Sequence, residues 1–457
     1  MEDTASTASP GVGSGFPVGF LWGAATSAYQ VEGSPLADGA GPSIWHRFAL
    51  VPGRIRDGAT GDVACDHYRR WREDLALMRE LGLGAYRFSV AWGRVLPEGC
   101  GRVNPRGLDF YDRLVDGLLA AGIEPVLTLY HWDLPAALDD RGGWLASDIA
   151  GWFADYTTVV ARALGDRVRW WATINEPWVV ADGGYLHGVL APGHASLREA
   201  EIAGHNLLRA HAAAVLAFRA VCRQRIGLVV NLEPKHPASA SPQDLAATRR
   251  ADAYMNRQYL DPALLGRYPE ELAEVFEPGW PRWRPAEIAD LAVPIDFLGV
   301  NYYTRGVMRY DPAAWPLNAA RVRQEGAFHS ATDWEVYPQG LLECLLWVHR
   351  RYGELPILVT ENGLALTEPE TVECELHDPD RIAFIREHLA AVREAIRLGV
   401  DVRGYLLWSL LDNLEWNQGF SKRFGIVHLD FATQRRTPKA SARFFADIAR
   451  SHGAALA

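Results

Sequence analysis

Short apolar runs of strand type recur along the chain. They alternate with longer stretches in which apolar residues return every three or four positions. Eight runs read as strands: residues 20–24, 85–90, 125–130, 170–174, 227–230, 297–300, 357–360 and 404–407. The helical pattern is clearest over residues 68–81, 107–121, 149–163, 202–221, 339–351 and 381–397. Strands alternating with helices predict parallel βα units, and eight of them predict an α/β fold with a single (β/α)8 TIM barrel and extended βα loops. A doubly wound open sheet is the competing arrangement. The 457-residue length suits a barrel with loop insertions, spanning 16–457. Residues 1–15 are polar, acidic and small, and read as a disordered N-terminal arm.

The runs end in a consistent way. The first leads to Gln30, the second to Arg87, Ser89 and Trp92, the third to His131 and Trp132. The fourth ends at Asn175 and Glu176, the fifth at Asn231, the sixth at Asn301 and Tyr303. The seventh ends at Glu361 and Asn362, and the eighth at Trp408. The C-terminal ends of barrel strands converge on one mouth, so these groups are candidates for a shared site.

Composition narrows the chemistry. Lys and Arg number 46 against 56 Asp and Glu, a net charge of −10, which disfavours nucleic acid and anionic membrane surfaces as partners. No apolar run is long enough to span a membrane, and the first residues lack the basic and apolar regions of a signal peptide, so a cytoplasmic protein is expected. Five widely spaced cysteines form neither a disulfide framework nor a zinc pattern, and no HxH or HExxH occurs, so no metal is expected. Seventeen tryptophans suit either a large core or a cleft that stacks on flat ligands such as sugars. His67, His205 and His211 lie in helical patterns and read as structural groups, and residues 249–257 and 290–299 read as solvated faces.

A glutamate at the end of a buried apolar run is costly unless it is bonded or functional. Glu176 and Glu361 lie on runs four and seven, roughly opposite each other in an eight-strand ring. Two carboxyls facing across a narrow mouth is the arrangement that glycoside hydrolysis requires. Arg87 is the candidate cation for Glu361 and Tyr303 a candidate donor to it, which suits a nucleophile that must stay ionised. Glu176 has neutral neighbours in the sequence, which suits an acid that must keep its proton.

The segments WWATINEP (170–177) and ILVTENG (357–363) closely resemble motifs of family 1 glycoside hydrolases. So do FLWGAATSAYQVEG (20–33), YRFSVAW (86–92), LYHWDLP (129–135), DFLGVNYY (296–303) and LWSLLDNLEWNQGFSKRFGIVHLD (407–430). The resemblance implies a retaining β-glucosidase without metal or organic cofactor, acting on a small-molecule β-glycoside in carbohydrate metabolism, including polysaccharide and cellulose degradation. It implies Glu176 as acid/base and Glu361 as nucleophile, their carboxyls about 5–5.5 Å apart. Gln30, His131, Trp132, Asn175, Asn301, Tyr303, Trp408, Glu415, Trp416 and Phe424 would line the sugar site, with Arg87 and Asn231 in support and Trp334 and Val179 toward the leaving group. Gln30 and Glu415 can hold adjacent hydroxyls of one pyranose.

Glu415 also argues against a 6-phosphorylated substrate, since a carboxylate there would repel phosphate despite Lys422 nearby. Two further alternatives are a transglycosidase, motivated by the apolar stretch GYLHGVLAPG (184–193), and a non-catalytic sugar-binding barrel. Oligomeric state has no signature in the sequence.

Overall fold

The computed structural model describes residues 15–276 and 279–456. Of the expected arm, residues 1–14 lie outside the described residues. Eight parallel strands close into a ring: β1 Leu21–Ala25, β2 Ala85–Ser89, β3 Glu124–Tyr130, β4 Trp170–Asn175, β5 Arg225–Leu232, β6 Phe297–Tyr302, β7 Ile357–Asn362 and β8 Val402–Trp408. The ring order β1-β8-β7-β6-β5-β4-β3-β2 follows the chain and returns on itself, which excludes the doubly wound sheet. All eight expected runs are there, each boundary within two residues.

The main helices between and after the strands are α1 His67–Glu80, α2 Pro105–Ala120, α3 Ile149–Leu164, α4 Leu197–Val221, α5 Pro242–Asp252, α6 Pro338–Tyr352, α7 Pro379–Arg397 and α8 Ala440–Arg450; α5 packs on a small accessory sheet rather than on the ring. Helix α4 starts five residues before its apolar repeat does. Ser196 caps it, its hydroxyl accepting from Glu199 N at 3.3 Å, so a polar first turn precedes the apolar face. Strands β2 and β3 are buried along their whole length, as expected of a parallel sheet covered on both faces.

Many tryptophans are core. Trp45, Trp92, Trp144 and Trp171 are fully buried. The structural reading of the histidines holds as well. His67 Nδ1 pairs with Asp74 at 2.8 Å, His205 stacks on Trp283 at 3.7 Å, and His211 Nδ1 meets Thr173 Oγ1 at 2.7 Å.

Two segments read as solvated are so only in part: Arg249, Asp290, Ala292 and Pro294 are exposed. Residues 297–299 open β6 and are buried, because that stretch joins the ring. Beyond Asp252 the chain forms a π-helical turn, Ala253–Arg257, where Arg257 pairs with Asp252 at 2.6 Å and Glu271 at 2.8 Å. The alternating charges there serve a packed turn, which periodicity cannot distinguish from a wet helix face.

The loops after β7 and β8 are tied together by buried charges. Lys439 Nζ sits 2.9 Å from Asp412 and 2.5 Å from Glu368. Arg423 also reaches Asp412, at 3.2 Å, and Arg381 pairs with Glu368 at 2.7 Å and with Asp378. All six side chains are nearly inaccessible to water. Gly363, just past β7, permits a close approach: a Cβ there would lie 1.7 Å from the Trp408 carbonyl oxygen at the end of β8.

Candidate active site

The ring brings Arg87 of β2 beneath both strand-end glutamates. Its Nη1 lies 2.5 Å from Glu361 Oε1, its Nη2 donates to Asn175 Oδ1 at 2.7 Å, and its Nε donates to Thr128 Oγ1 at 3.1 Å. Tyr303 OH donates to Glu361 Oε2 at 2.6 Å. Glu361 is thus held by a guanidinium and a phenol, as its place in the sequence suggests. Glu176 is held differently. Its Oε1 accepts from Asn301 Nδ2 at 2.5 Å, and that amide's oxygen accepts from Thr360 Oγ1 at 2.7 Å.

These partners set the charges. Burial, followed by the nearby Glu361 charge, pushes Glu176 up to about 8. Burial raises Glu361 as well, but Arg87, Tyr303 and Asn301 all oppose it and favour the carboxylate. Glu415 is pushed up to about 8, again mainly by burial. His131 is buried above Arg87's charge and titrates well below the usual histidine range, so its imidazole is neutral.

A cavity of about 720 Å³ opens over this cluster. Of the residues expected in the site, Trp132, Glu176, Asn231, Asn301, Tyr303, Trp334, Glu415 and Trp416 line it. Gln30, Arg87, His131, Asn175, Glu361, Trp408 and Phe424 are buried around these residues, Glu361 against Tyr303 and Asn175 against Asn301. Asn175 is bonded on several sides, accepting from Arg87 and Asn301 while its Nδ2 meets His131 Nε2 at 3.2 Å. Trp132 Nε1 donates to the Asn175 carbonyl at 2.9 Å, and its ring packs on Trp416 at 4.5 Å. Trp408 lies nearly parallel to His131 at 5.8 Å, and Phe424 packs on Tyr303 at 6.0 Å.

Gln30 does not face the cavity directly. Its Nε2 donates to the Leu414 carbonyl at 2.8 Å and to Asn413 Oδ1 at 3.1 Å, and its Oε1 accepts from Ser27 Oγ at 2.6 Å. It braces the turn that carries Glu415. Glu415 Oε2, by contrast, is buried without a hydrogen-bond partner. Trp132, Glu176 and Trp416 adopt positive φ of 78°, 49° and 47°. Such backbone costs on the order of 1–3 kcal/mol per residue and concentrates at sites where side chains must be aimed.

Comparison with known proteins bears on this arrangement. The chain matches the sequence profile of glycosyl hydrolase family 1 over residues 12–454. The chain belongs to that family. It is 46% identical over 440 residues to beta-glucosidase A of Thermotoga maritima, covering 96% of this chain and 98% of that protein. It is 45% identical over 440 residues to a 1,4-beta-D-glucan glucohydrolase of Thermotoga neapolitana, covering 96% and 99%. The structure of the T. maritima beta-glucosidase in complex with glucoimidazole superposes with a TM-score of 0.93 at 46% identity, covering 96% of this chain and 99% of that one. This family 1 member is a glycoside hydrolase.

Part of the family 1 cavity escaped the sequence reading. Its outer wall includes Trp178, Asp182, Glu233, Lys235, Tyr254, Met255, Met308 and Arg321. Glu233 is paired with both Lys235 and Arg321, and Tyr254 OH donates to Asp182 at 2.9 Å. These residues come from long loops and from a small sheet of Lys235–Pro237, Gly306–Tyr310 and Ala319–Arg321. In the 184–193 stretch, Leu186 is buried in the core, whereas Leu190 lines the cavity together with Val179.

Proposed function

We propose that the protein is a retaining β-glucosidase that releases terminal non-reducing β-D-glucosyl residues, with Glu361 as nucleophile and Glu176 as acid/base. The reading is carried by the unequal partnering of the two carboxyls. A guanidinium and a phenol favour the Glu361 carboxylate, while Glu176 has a neutral amide and a raised pKa. The names of the relatives and the glucoimidazole and deoxynojirimycin complexes of the T. maritima enzyme support a glucosyl substrate.

In the first step the Glu361 carboxylate bonds to the anomeric carbon. The bond to the leaving oxygen breaks, and that oxygen takes the Glu176 proton. Esterification removes the Glu361 charge, which is one of the causes holding Glu176 high. Glu176 therefore becomes more acidic at the moment it is left ionised. It then takes a proton from water, whose oxygen attacks the anomeric carbon and releases Glu361.

Glu415, with an unpartnered buried oxygen, accepts from sugar hydroxyls. Trp416 and Trp408 offer apolar planes to the ring. Gln30, His131, Asn175 and Phe424 complete the sugar site. The described residues from 16 onward, 16–276 and 279–456, form the catalytic barrel. A cytoplasmic location is supported by the free thiols of Cys65, Cys100, Cys222, Cys344 and Cys374.

The test is intact mass and peptide mapping after exposure to a 2-deoxy-2-fluoro-β-glucoside with a good leaving group. A stable adduct on Glu361 is expected. An adduct elsewhere removes Glu361 from the role, and neither an adduct nor hydrolysis of aryl β-glucosides removes the function.

A further inference from the structure

The cavity continues outward from Glu176 along Trp178, Val179, Tyr254, Met255 and Leu317. Leu317 ends a loop that carries Trp315. That indole is 58% exposed, the one tryptophan among the exposed large hydrophobic side chains of the described residues. The loop is nevertheless held in place. Asp311 N donates to the Asn318 carbonyl at 3.2 Å, and Ala313 N donates to Asp311 Oδ1 at 3.0 Å. From α5, Arg250 Nε donates to the Leu317 carbonyl at 2.8 Å. An indole left half in water on a braced loop presents a fixed apolar face, with little ordering cost when a ligand covers it.

Across from it stands the 182–193 segment. His187 meets the Trp315 ring edge-on at 6.4 Å, and His187 Nε2 is 3.7 Å from Asp182 Oδ1. Asp182, Val189 and Leu190 of that segment line the cavity, as does Leu317 two residues from Trp315, so the Trp315–His187 pair stands beside residues of both its walls. A flat apolar face flanked by an imidazole and a carboxylate matches the chemistry of a pyranose. The C–H face of the sugar covers the indole, and its equatorial hydroxyls meet the polar groups at the edge.

We propose that Trp315, with His187 and Asp182, forms a distal binding position for a glucosyl unit of a β-linked gluco-oligosaccharide, beyond the unit next to the bond being cleaved. The proposal rests on the glucosidase reading, which puts the non-reducing end at Glu176 and Glu361 and directs the rest of the chain outward. The enzyme is then built to engage glucan chains longer than a disaccharide.

The experiment measures kcat and KM for cellobiose, cellotriose, cellotetraose and an aryl β-glucoside, in the wild type, Trp315→Ala and Trp315→Phe. In the wild type kcat/KM rises from cellobiose to cellotetraose by about tenfold, the size of one aromatic contact. Trp315→Ala abolishes the rise through KM and leaves the aryl β-glucoside within about twofold, while Trp315→Phe restores part of it. The proposal is overturned by a wild type indifferent to chain length. It is equally overturned if Trp315→Ala matches the wild type on cellotetraose, or if all substrates are slowed alike. A wild type inactive on the aryl β-glucoside would instead overturn the glucosidase reading.

Discussion

Arg87 Nη1 lies 2.5 Å from Glu361 Oε1, inside a barrel where neither side chain has appreciable contact with water. The same guanidinium holds Asn175, the residue before Glu176, through its Nη2. One buried cation therefore favours the charged form of one carboxyl and fixes the strand end that carries the other.

Replacing Arg87 by Lys keeps a positive charge but not the fork that reaches both partners. We expect kcat/KM on an aryl β-glucoside to fall about a hundredfold or more, by the cost of a lost charge-assisted contact. The acidic limb of the pH profile should also move to higher pH, because Glu361 loses an opponent of its raised pKa. An unmoved acidic limb would separate Arg87 from the charge of Glu361.

Glu176 must hold its proton for the first step, and its pKa is pushed up to about 8. The basic limb of kcat/KM should therefore fall near pH 8. Glu176→Gln should lose that limb on a substrate whose leaving group needs no proton. A basic limb that survives in Glu176→Gln belongs to another group.

The same shift has a consequence for stability. A carboxyl raised in the folded state contributes stability below its unfolded value of about 4.3, and loses it as pH rises toward 8. Glu176→Gln should thus raise Tm at pH 8–9, through a stability gain of up to about 5 kcal/mol, and change little at pH 4. Equal Tm shifts at both pH values would contradict the raised pKa.

Glu415 Oε2 is buried without a partner. Burial keeps this carboxyl neutral near pH 7, and a neutral acceptor adds about 0.5–1.5 kcal/mol to a sugar hydroxyl contact, so Glu415→Ala should lower kcat/KM about two- to tenfold. Glucosides lacking the hydroxyl that Glu415 holds should lose far less in the variant than in the wild type. Independent losses, simply additive, would show that Glu415 does not touch that hydroxyl.

Lys439 is enclosed with Asp412 and Glu368 between the loops that follow β7 and β8. Lys439→Met removes one cation from this buried cluster, leaving Asp412 to Arg423 and Glu368 to Arg381, and should cost about 3–5 kcal/mol in urea unfolding. A loss under about 1 kcal/mol would mean the loops are held by packing alone.

The eight strands were legible because each is a short apolar run, and the site because polar residues stop those runs. Arg87 and Glu361 could be paired from their strand ends alone. Asn301 as the partner of Glu176 could not, since the two are 125 residues apart and meet only when the ring closes. Gln30 was readable as a hydrogen-bonding group. That its amide is occupied by Leu414 and Asn413 depends on a turn nearly four hundred residues away. The face of Ala253–Arg257 was misread because a π-helical turn shifts side chains off the α-helical repeat.

By itself the sequence determined the alternation of strands and helices, the two strand-end carboxyls, and the family motifs, because these are local patterns of apolarity and residue type. Only the tertiary structure decided which amide reaches Glu176, which carboxyl oxygen of Glu415 is left unpartnered, and that Trp315 meets His187 beside the cavity walls. Those relations join residues from separate loops. Their geometry is set by closure of the barrel and by loop packing, neither of which is written in any one stretch of chain.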